Sequence, residues 1–230
     1  MATLYHGSAQ VVSHPEFGRG RANNDFGRGF YCTTDVDLAR EWACKLESDG
    51  FANRYALGTA GLQKLDLLDG SFTTLNWIAL LLKNRQFRLR YDVAQEARDY
   101  LVERFLPDTS RADIVVGYRA DDSYFDYARA FVENGLSVQQ LSRALVLGKL
   151  GEQVVLVSEQ AFNSLRFEGA EPVKRAEWYP RFARHDIRAR EAYRQAIKGK
   201  PSAKDDLFVI DIMRGGLDGD DPRIPRMLRD

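Results

Sequence analysis

Two short β-like runs near the N-terminus constrain this chain more than any other feature. The first is Leu4-Tyr5-His6-Gly7-Ser8. The second is Asp25-Phe26-Gly27-Arg28-Gly29-Phe30-Tyr31-Cys32-Thr33-Thr34, and a polar, glycine-containing loop separates them. Each sets one polar ring, His6 or Tyr31, in or beside a strand flanked by glycine. Glycine lets a backbone or a flat ligand approach closely. The pair therefore points to a cleft that holds a planar, polar ligand.

The rest of the chain mixes strand and helix patterns. Residues 2–8 and 28–34 read as strands. Asp35 to Leu46 reads as a helix capped by Thr34 or Asp35, with Leu38, Ala39, Trp42, Ala43 and Leu46 at helical spacing. Tyr55-Ala56-Leu57 and Gln63 to Leu68 look like a strand pair about the Gly58 to Gly61 turn. Thr74 to Lys83 is an apolar helix and Asp92 to Phe105 an amphipathic one. Ala112 to Gly117 reads as a buried strand. Asp122 to Asn134 reads as a helix stopped by Gly135, and Ser137 caps another running to Leu147. Gln153 to Ser158 is the clearest strand, and Glu159 to Leu165 makes one or two helical turns. Pro180 to Lys198 is a charged helix, Leu207 to Met213 a last strand, and Gly215 to Asp221 a loose end. The regular βαβ rhythm of a doubly wound sheet is missing, which favours an α+β fold. Residues 1–168 form the expected domain. Residues 169–230 form a charged helical extension with a final strand, packed on the same domain.

Composition removes several function classes. The chain has 33 basic and 33 acidic residues, so its formal net charge is zero and it lacks a general electrostatic footprint for nucleic acid. The basic residues from Arg181 to Lys200 are interleaved with Asp186 and Glu191, which favours a solvated helix face over contact with a partner or RNA. Cys32 and Cys44 make neither a disulfide framework nor a metal cluster, and Cys32 reads as a small apolar filler. His6, His14 and His185 are too dispersed for zinc, so no metal is expected. The first residues lack the charged and apolar regions of a signal peptide. The longest apolar stretch, Trp77 to Leu82, is too short to cross a bilayer. A cytoplasmic location with no membrane partner is the expectation. Neither Gly18-Arg-Gly-Arg nor Gly27-Arg-Gly has dinucleotide-fingerprint spacing, and a Walker A motif and a Gly-x-Ser-x-Gly elbow are both absent.

His6-Gly7-Ser8, then Gly27-Arg-Gly-Phe-Tyr-Cys-Thr33, then a helix with Ala39 and Trp42, resembles the first half of the poly(ADP-ribose)-polymerase-type ADP-ribosyltransferase core. Gly151-Glu-Gln-Val-Val-Leu-Val-Ser-Glu-Gln-Ala-Phe-Asn-Ser-Leu-Arg-Phe167 is similar to that core's third motif. A closer match covers nearly the whole chain. Residues 4–43, Leu75 to Arg85, Asp113 to Phe125, Gly148 to Gln153 and Phe208 to Gly215 together resemble the bacterial domain of unknown function 3990. That family is regarded as a divergent member of the ADP-ribosyltransferase superfamily. The resemblance implies a split, mostly antiparallel β-core with flanking helices and NAD as the bound substrate.

Carried over residue by residue, the resemblance gives His6 a ribose hydroxyl of NAD and Gly7 the nicotinamide carboxamide through its backbone. Tyr31 would stack on the nicotinamide ring, with Ser8 beside the same ligand. Tyr118 and Arg119 could reach the pyrophosphate, since arginine suits bidentate phosphate contacts. Arg19, Arg21 and Arg28 are alternative phosphate partners or a solvated loop. Asp121, Asp122, Ser123 and Tyr124 form a further polar group, in which Asp122 can simply cap a helix.

The chain departs from the polymerases at the third position. Gln153 opens the strand, with Glu152 immediately before it, and only one of the two can face the cleft without a bulge. A carboxylate there would hold the ribose 2′-hydroxyl and help the acceptor attack. Glutamine can hold the hydroxyl but cannot take a proton. With Gln153 in place, single transfer to a macromolecular acceptor (protein or nucleic acid) is expected rather than chain growth. NAD hydrolysis and non-catalytic binding of NAD or ADP-ribose are the alternatives. A toxin or effector role, with a neutralising antitoxin partner, is a further implication of the resemblance.

Overall fold

The computed structural model describes residues 1–44, 48–120, 122–148, 151–198 and 206–229. Its β-structure divides into small sheets. In the first, β1 (Ala2–Ser8), β3 (Gly50–Leu57) and β8 (Leu165–Val173) pair antiparallel in the order β1-β3-β8. The second contains β2 (Phe30–Cys32), β7 (Glu152–Leu156), β6 (Ile114–Tyr118) and β4 (Lys64–Asp66), in the order β2-β7-β6-β4. Its pairs are antiparallel except β4 with β6. A two-stranded sheet joins β5 (Asp69–Thr73) to β9 (Arg226–Leu228).

The two larger sheets meet at one bridge. Tyr5 and Thr33 exchange both backbone hydrogen bonds, at 2.8 and 2.9 Å. Beyond it the strands part, and that gap positions the candidate site. Leu4, Cys32, Leu57, Ile114, Val116, Val154 and Leu156 fill the apolar layer between the sheets. Val115 and Val155 point the other way, as strand alternation requires, into a larger core with the helices.

At the centre of that helical layer is α2 (Thr74–Asn84). Leu75, Trp77, Ile78, Ala79, Leu80, Leu81 and Leu82 are all buried, so the helix is enclosed on every side. Asn76 Oδ1 accepts from the Thr73 backbone N–H at 2.7 Å and fixes its start. Around it pack α3 (Asp92–Phe105), α4 (Asp122–Val132) and α5 (Val138–Gly148). On the opposite side α1 (Val36–Ala43) lies on β1 and β3. Asp35 caps α1 by accepting from Asp37 and Leu38 N–H. Residues beyond Cys44 at its expected end, Leu46 included, lie outside the described residues.

The molecule is thus a mixed α/β protein of helices and small antiparallel and mixed sheets. Three sequence expectations fail. Residues 55–57 and 63–68 do not form a hairpin: β3 pairs with β1 and β8, whereas β4 lies in the other sheet beside β6. Leu207 to Met213 is not a strand. It contains the start of α8 (Val209–Gly215), where Asp211 accepts from Phe208 N–H at 3.1 Å and Gly216 closes the helix at φ 58°. Helix α4 turns over at Asn134, φ 59°, rather than at Gly135; asparagine tolerates this conformation better than most residues.

The strand β8 crosses position 169, where the extension was expected to begin, and keeps pairing with β3 through Val173. After α6 (Glu159–Asn163) and β8, the charged helix α7 (Arg175–Lys198) starts five residues before Pro180. The final strand is β9, at Arg226–Leu228.

Candidate functional site

A cavity of about 700 Å³ opens where β1 and β2 separate, within the range of small-molecule and cofactor sites. His6, Gly7, Ser8, Tyr31, Arg119 and Gln153 all line it. These residues come from both large sheets and from the segment after β6.

Gly7 offers its backbone to this gap. Tyr5 turns its N–H and C=O away from β3 to bond Thr33. Peptide groups two residues apart in a strand point the same way, so Gly7 N–H and C=O face the opening between the sheets. The glycine itself is required by α1. A Cβ at Gly7 would collide with the Ala39 carbonyl and sit 2.6 Å from Ala43 N and 2.8 Å from Trp42 Cβ. The close approach expected of a ligand is in part a close approach of a helix.

His6 donates from Nδ1 to the Tyr31 carbonyl, 2.7 Å away, a bond that also ties the two sheets together across the gap. The carbonyl can only accept, so Nδ1 carries the proton, and the neutral ring keeps an acceptor at Nε2. Burial depresses the His6 pKa below its usual 6.5, against the opposing pull of that backbone bond. The unfolded chain therefore takes up a proton as pH falls through about 6.5, while the folded protein resists it. The His6 contribution to stability is present above about pH 6.5 and is lost as pH falls further. Melting curves from pH 7.5 to 5 will show wild type losing more stability than His6→Gln. Parallel curves would refute the assignment.

Tyr31 is pinned at its hydroxyl, which donates to Gly27 O at 2.7 Å and accepts from Phe26 N–H at 3.0 Å. Burial pushes its pKa well above that of free tyrosine, so it stays a neutral phenol. The Cys32 thiol is likewise pushed up by complete burial and is inert, as a filler should be.

Strand alternation separates Glu152 from Gln153. Gln153 pairs with Gly117 and lines the cavity, 2% exposed. Glu152 pairs with Tyr118 on the other face and accepts from Arg229 Nε at 3.1 Å. Glu152 is therefore not among the cavity-lining residues. Nor is Tyr118, whose hydroxyl donates to Leu228 O at 2.7 Å and fastens β9. Arg119 does line the cavity, with its guanidinium 5.5 Å from the Trp42 ring centre and 6.0 Å from that of Phe182.

Among the loop arginines, Arg19 and Arg21 border the cavity, and Arg19 pairs with Glu16 at 2.9 Å. Arg28 instead donates to Gly18 O. Buried Asn53 accepts from Val12 N–H and donates to His6 O, and the Tyr55 hydroxyl donates to Val12 O, so the loop after β1 is held from beneath. The side chains of Asp121, Asp122, Ser123 and Tyr124 lie outside the described residues.

Asp25, Arg85 and Trp42 also line the cavity, and sequence reasoning did not select them as site residues. Asp25 Oδ1 accepts from Arg85 Nε at 2.9 Å. Its Oδ2 accepts from Ala120 N–H at 2.9 Å and Gln153 Nε2 at 3.2 Å. Burial raises the Asp25 pKa, while Arg85, Ala120 N–H, Gln153 and Arg119 oppose that rise. Phe26 sets this position: a Cβ on Gly117 would come within 2.7 Å of its ring, so the glycine makes room for Phe26 beside β6. The available signal was an acid directly before a phenylalanine that the fold buries. Arg85, the first arginine after an apolar helix, was its natural counter-ion. The Trp42 indole N–H is buried without a hydrogen-bond partner among the described residues.

Among the described residues no group of histidine, cysteine, aspartate or glutamate could hold a metal ion, and no helix is long and apolar enough to cross a membrane. The fold is that of a mixed α/β protein with a cavity between its two larger sheets. Residues 2–167 match the model of a family described as "Protein of unknown function (DUF3990)", and the chain belongs to that family. No curated protein and no solved structure matches it.

Proposed function

We propose that this protein is a mono-ADP-ribosyltransferase that takes NAD as substrate and modifies a macromolecular acceptor. The observation that carries the reading is the meeting of His6, the Gly7 backbone, Tyr31 and Gln153 around one cavity. Sequence motifs as far apart as residues 6 and 153 thus border the same cavity, which supports the reading. The two sheets parting beyond the Tyr5–Thr33 bridge agree with the split core that this superfamily uses.

In this reading Gly7 N–H and C=O hold the nicotinamide carboxamide, and Tyr31 presents its ring to the base. His6 Nε2 and Gln153 take ribose hydroxyls. Holding base and sugar in a fixed relation reduces the entropic barrier to cleavage. The bond from ribose C1′ to the nicotinamide nitrogen breaks and its electron pair leaves with nicotinamide. The acceptor's nucleophilic atom bonds C1′, and its proton passes to solvent. Arg119 and Arg21 provide positive charge for the diphosphate.

Gln153 cannot accept the attacking proton, and this favours one transfer per site over chain growth. The same residue supports NAD hydrolysis, or retention of NAD without turnover, as second readings. A toxin or effector role, restrained by an antitoxin, extends the proposal.

Labelled NAD incubated with a host lysate tests it. Wild type is expected to release nicotinamide and label a macromolecule, and His6→Ala or Tyr31→Ala to lower both by about a hundredfold. Nicotinamide without labelled product would select hydrolysis. Thermal stabilisation by NAD without release would select binding alone. If neither release nor stabilisation occurs, the NAD assignment fails.

A further inference from the structure

We propose that Asp25 is the positioning residue of this cavity, fixing the Gln153 amide so that its carbonyl oxygen Oε1 is offered to a ligand hydroxyl. The hydroxyl's identity as that of NAD ribose rests on the transferase reading. The orientation itself rests on the geometry around Asp25.

An ionised carboxylate only accepts hydrogen bonds, whereas an amide end can donate or accept depending on which way it faces. The Gln153 atom nearest Asp25 Oδ2, at 3.2 Å, must therefore be Nε2. That leaves Oε1 at the other end of the amide, without a hydrogen-bond partner among the described residues, on a side chain that borders the cavity. Without Asp25 the amide could turn and present its NH₂ group. With Asp25 in place it presents an oxygen, as a carboxylate at the same position would. The glutamine thus retains the hydroxyl-binding half of the carboxylate's chemistry and lacks the proton-accepting half.

Asp25 is poorly placed to act as the base itself. Oδ1 is taken by Arg85, and Oδ2 by Ala120 N–H and Gln153. Arg85 also donates to Ala120 O at 2.6 Å, closing a ring around the carboxylate. The neighbouring titratable groups are Arg85 at the end of α2, Arg119 after β6, Tyr31 on β2 and His6 on β1. Arg85 and Arg119 favour the charged carboxylate and oppose the burial that raises its pKa, while Tyr31 is a neutral phenol and burial favours the neutral form of His6.

Exchanging the chemistry of the pair tests the proposal. Asp25→Asn can meet position 153 with either an oxygen or an NH₂ group, so the amide there is no longer held one way round, and Gln153→Glu sets two carboxylates in contact. Each is expected to lower nicotinamide release by about tenfold or more. In the double variant an asparagine N–H can donate to the carboxylate that Gln153→Glu introduces, restoring a fixed oxygen to the cavity. Release should then return to within about threefold of wild type. A purely structural Asp25 would not be rescued by a change at position 153. Release from Asp25→Asn at the wild-type rate, or a double variant no better than the worse single, would overturn the proposal.

Melting temperatures between pH 4 and 7 give a ligand-free second measurement. Gln153→Glu should be destabilised progressively as pH rises, because two adjacent carboxylates resist ionising together. The double variant should not. Identical pH profiles in the two would also overturn the Asp25–Gln153 coupling. If wild type neither binds nor cleaves NAD, the transferase reading and the ribose assignment fall, and the melting comparison alone decides whether Asp25 orients the amide.

Discussion

Gly7→Ala is expected to lower stability by about 3 kcal/mol, the upper end of overpacking costs. The melting temperature should drop by roughly 6–12 °C for a chain of this size. The added methyl meets the Ala39 carbonyl, Ala43 N and Trp42 Cβ, and the first two are backbone atoms of one helix. No side-chain rotation relieves that contact. Either α1 lifts from β1, or β1 twists away from its bridge to Thr33 and opens the gap that forms the cavity. Circular dichroism melts give the stability change. A loss of NAD-dependent stabilisation greater than that in a neutral surface variant reports the distortion of the cavity. An unchanged melting temperature would mean that the glycine is not needed by the helix and that its packing role is wrong.

The same residue shows what a sequence pattern carries and what it leaves open. Glycine between His6 and Ser8 signalled a close approach, but not whether helix or ligand made it. The elements with strong local patterns were legible: β6 and β7 by their β-branched runs, α2 and α3 by their apolar spacing. Helix α8 misled because Val209, Ile210 and Ile212 favour strands, although Asp211 and Gly216 supplied the start and stop that decided it. Strand β8 was invisible. Arg166, Glu168 and Glu171 give it a charged face, and Pro172 suits a sheet edge. Nothing near β4 announced a parallel partner as far along the chain as Ile114–Tyr118.

For the site, local sequence supplied His6, Gly7, Tyr31 and Gln153, while pairing register supplied the choice between Glu152 and Gln153. Once Gln153 lies opposite Gly117 and the cavity is on that face, Glu152 must face away. Asp25 belongs to another category. Its role depends on Arg85, Ala120 and Gln153, which are 60, 95 and 128 residues away in sequence. No short-range signal could have assembled them.

Trp77→Ala is expected to be the most damaging single substitution, costing about 3–5 kcal/mol from its lost packing alone. Against a typical total of roughly 5–15 kcal/mol, that is a large share of the protein's stability. The melting temperature should fall by about 6–20 °C. Trp77 is fully buried in α2, and its indole N–H donates to Tyr118 O at 3.0 Å. The hydrogen bond gives this core residue a link to the site. Tyr118 ends β6, Arg119 follows into the cavity, and Ala120 N–H holds Asp25. Trp77→Phe separates the two effects, because it keeps most of the apolar volume and removes the indole hydrogen bond to the Tyr118 carbonyl. It should cost about 1–3 kcal/mol and weaken NAD-dependent stabilisation more than a Leu101→Ala variant, which removes buried packing in α3 outside the cavity wall. If Trp77→Phe and Leu101→Ala lose ligand stabilisation equally, the core supports the cavity only by keeping the protein folded. A larger loss in Trp77→Phe means that the indole hydrogen bond itself sets the segment on which Arg119 and the Asp25 contact depend.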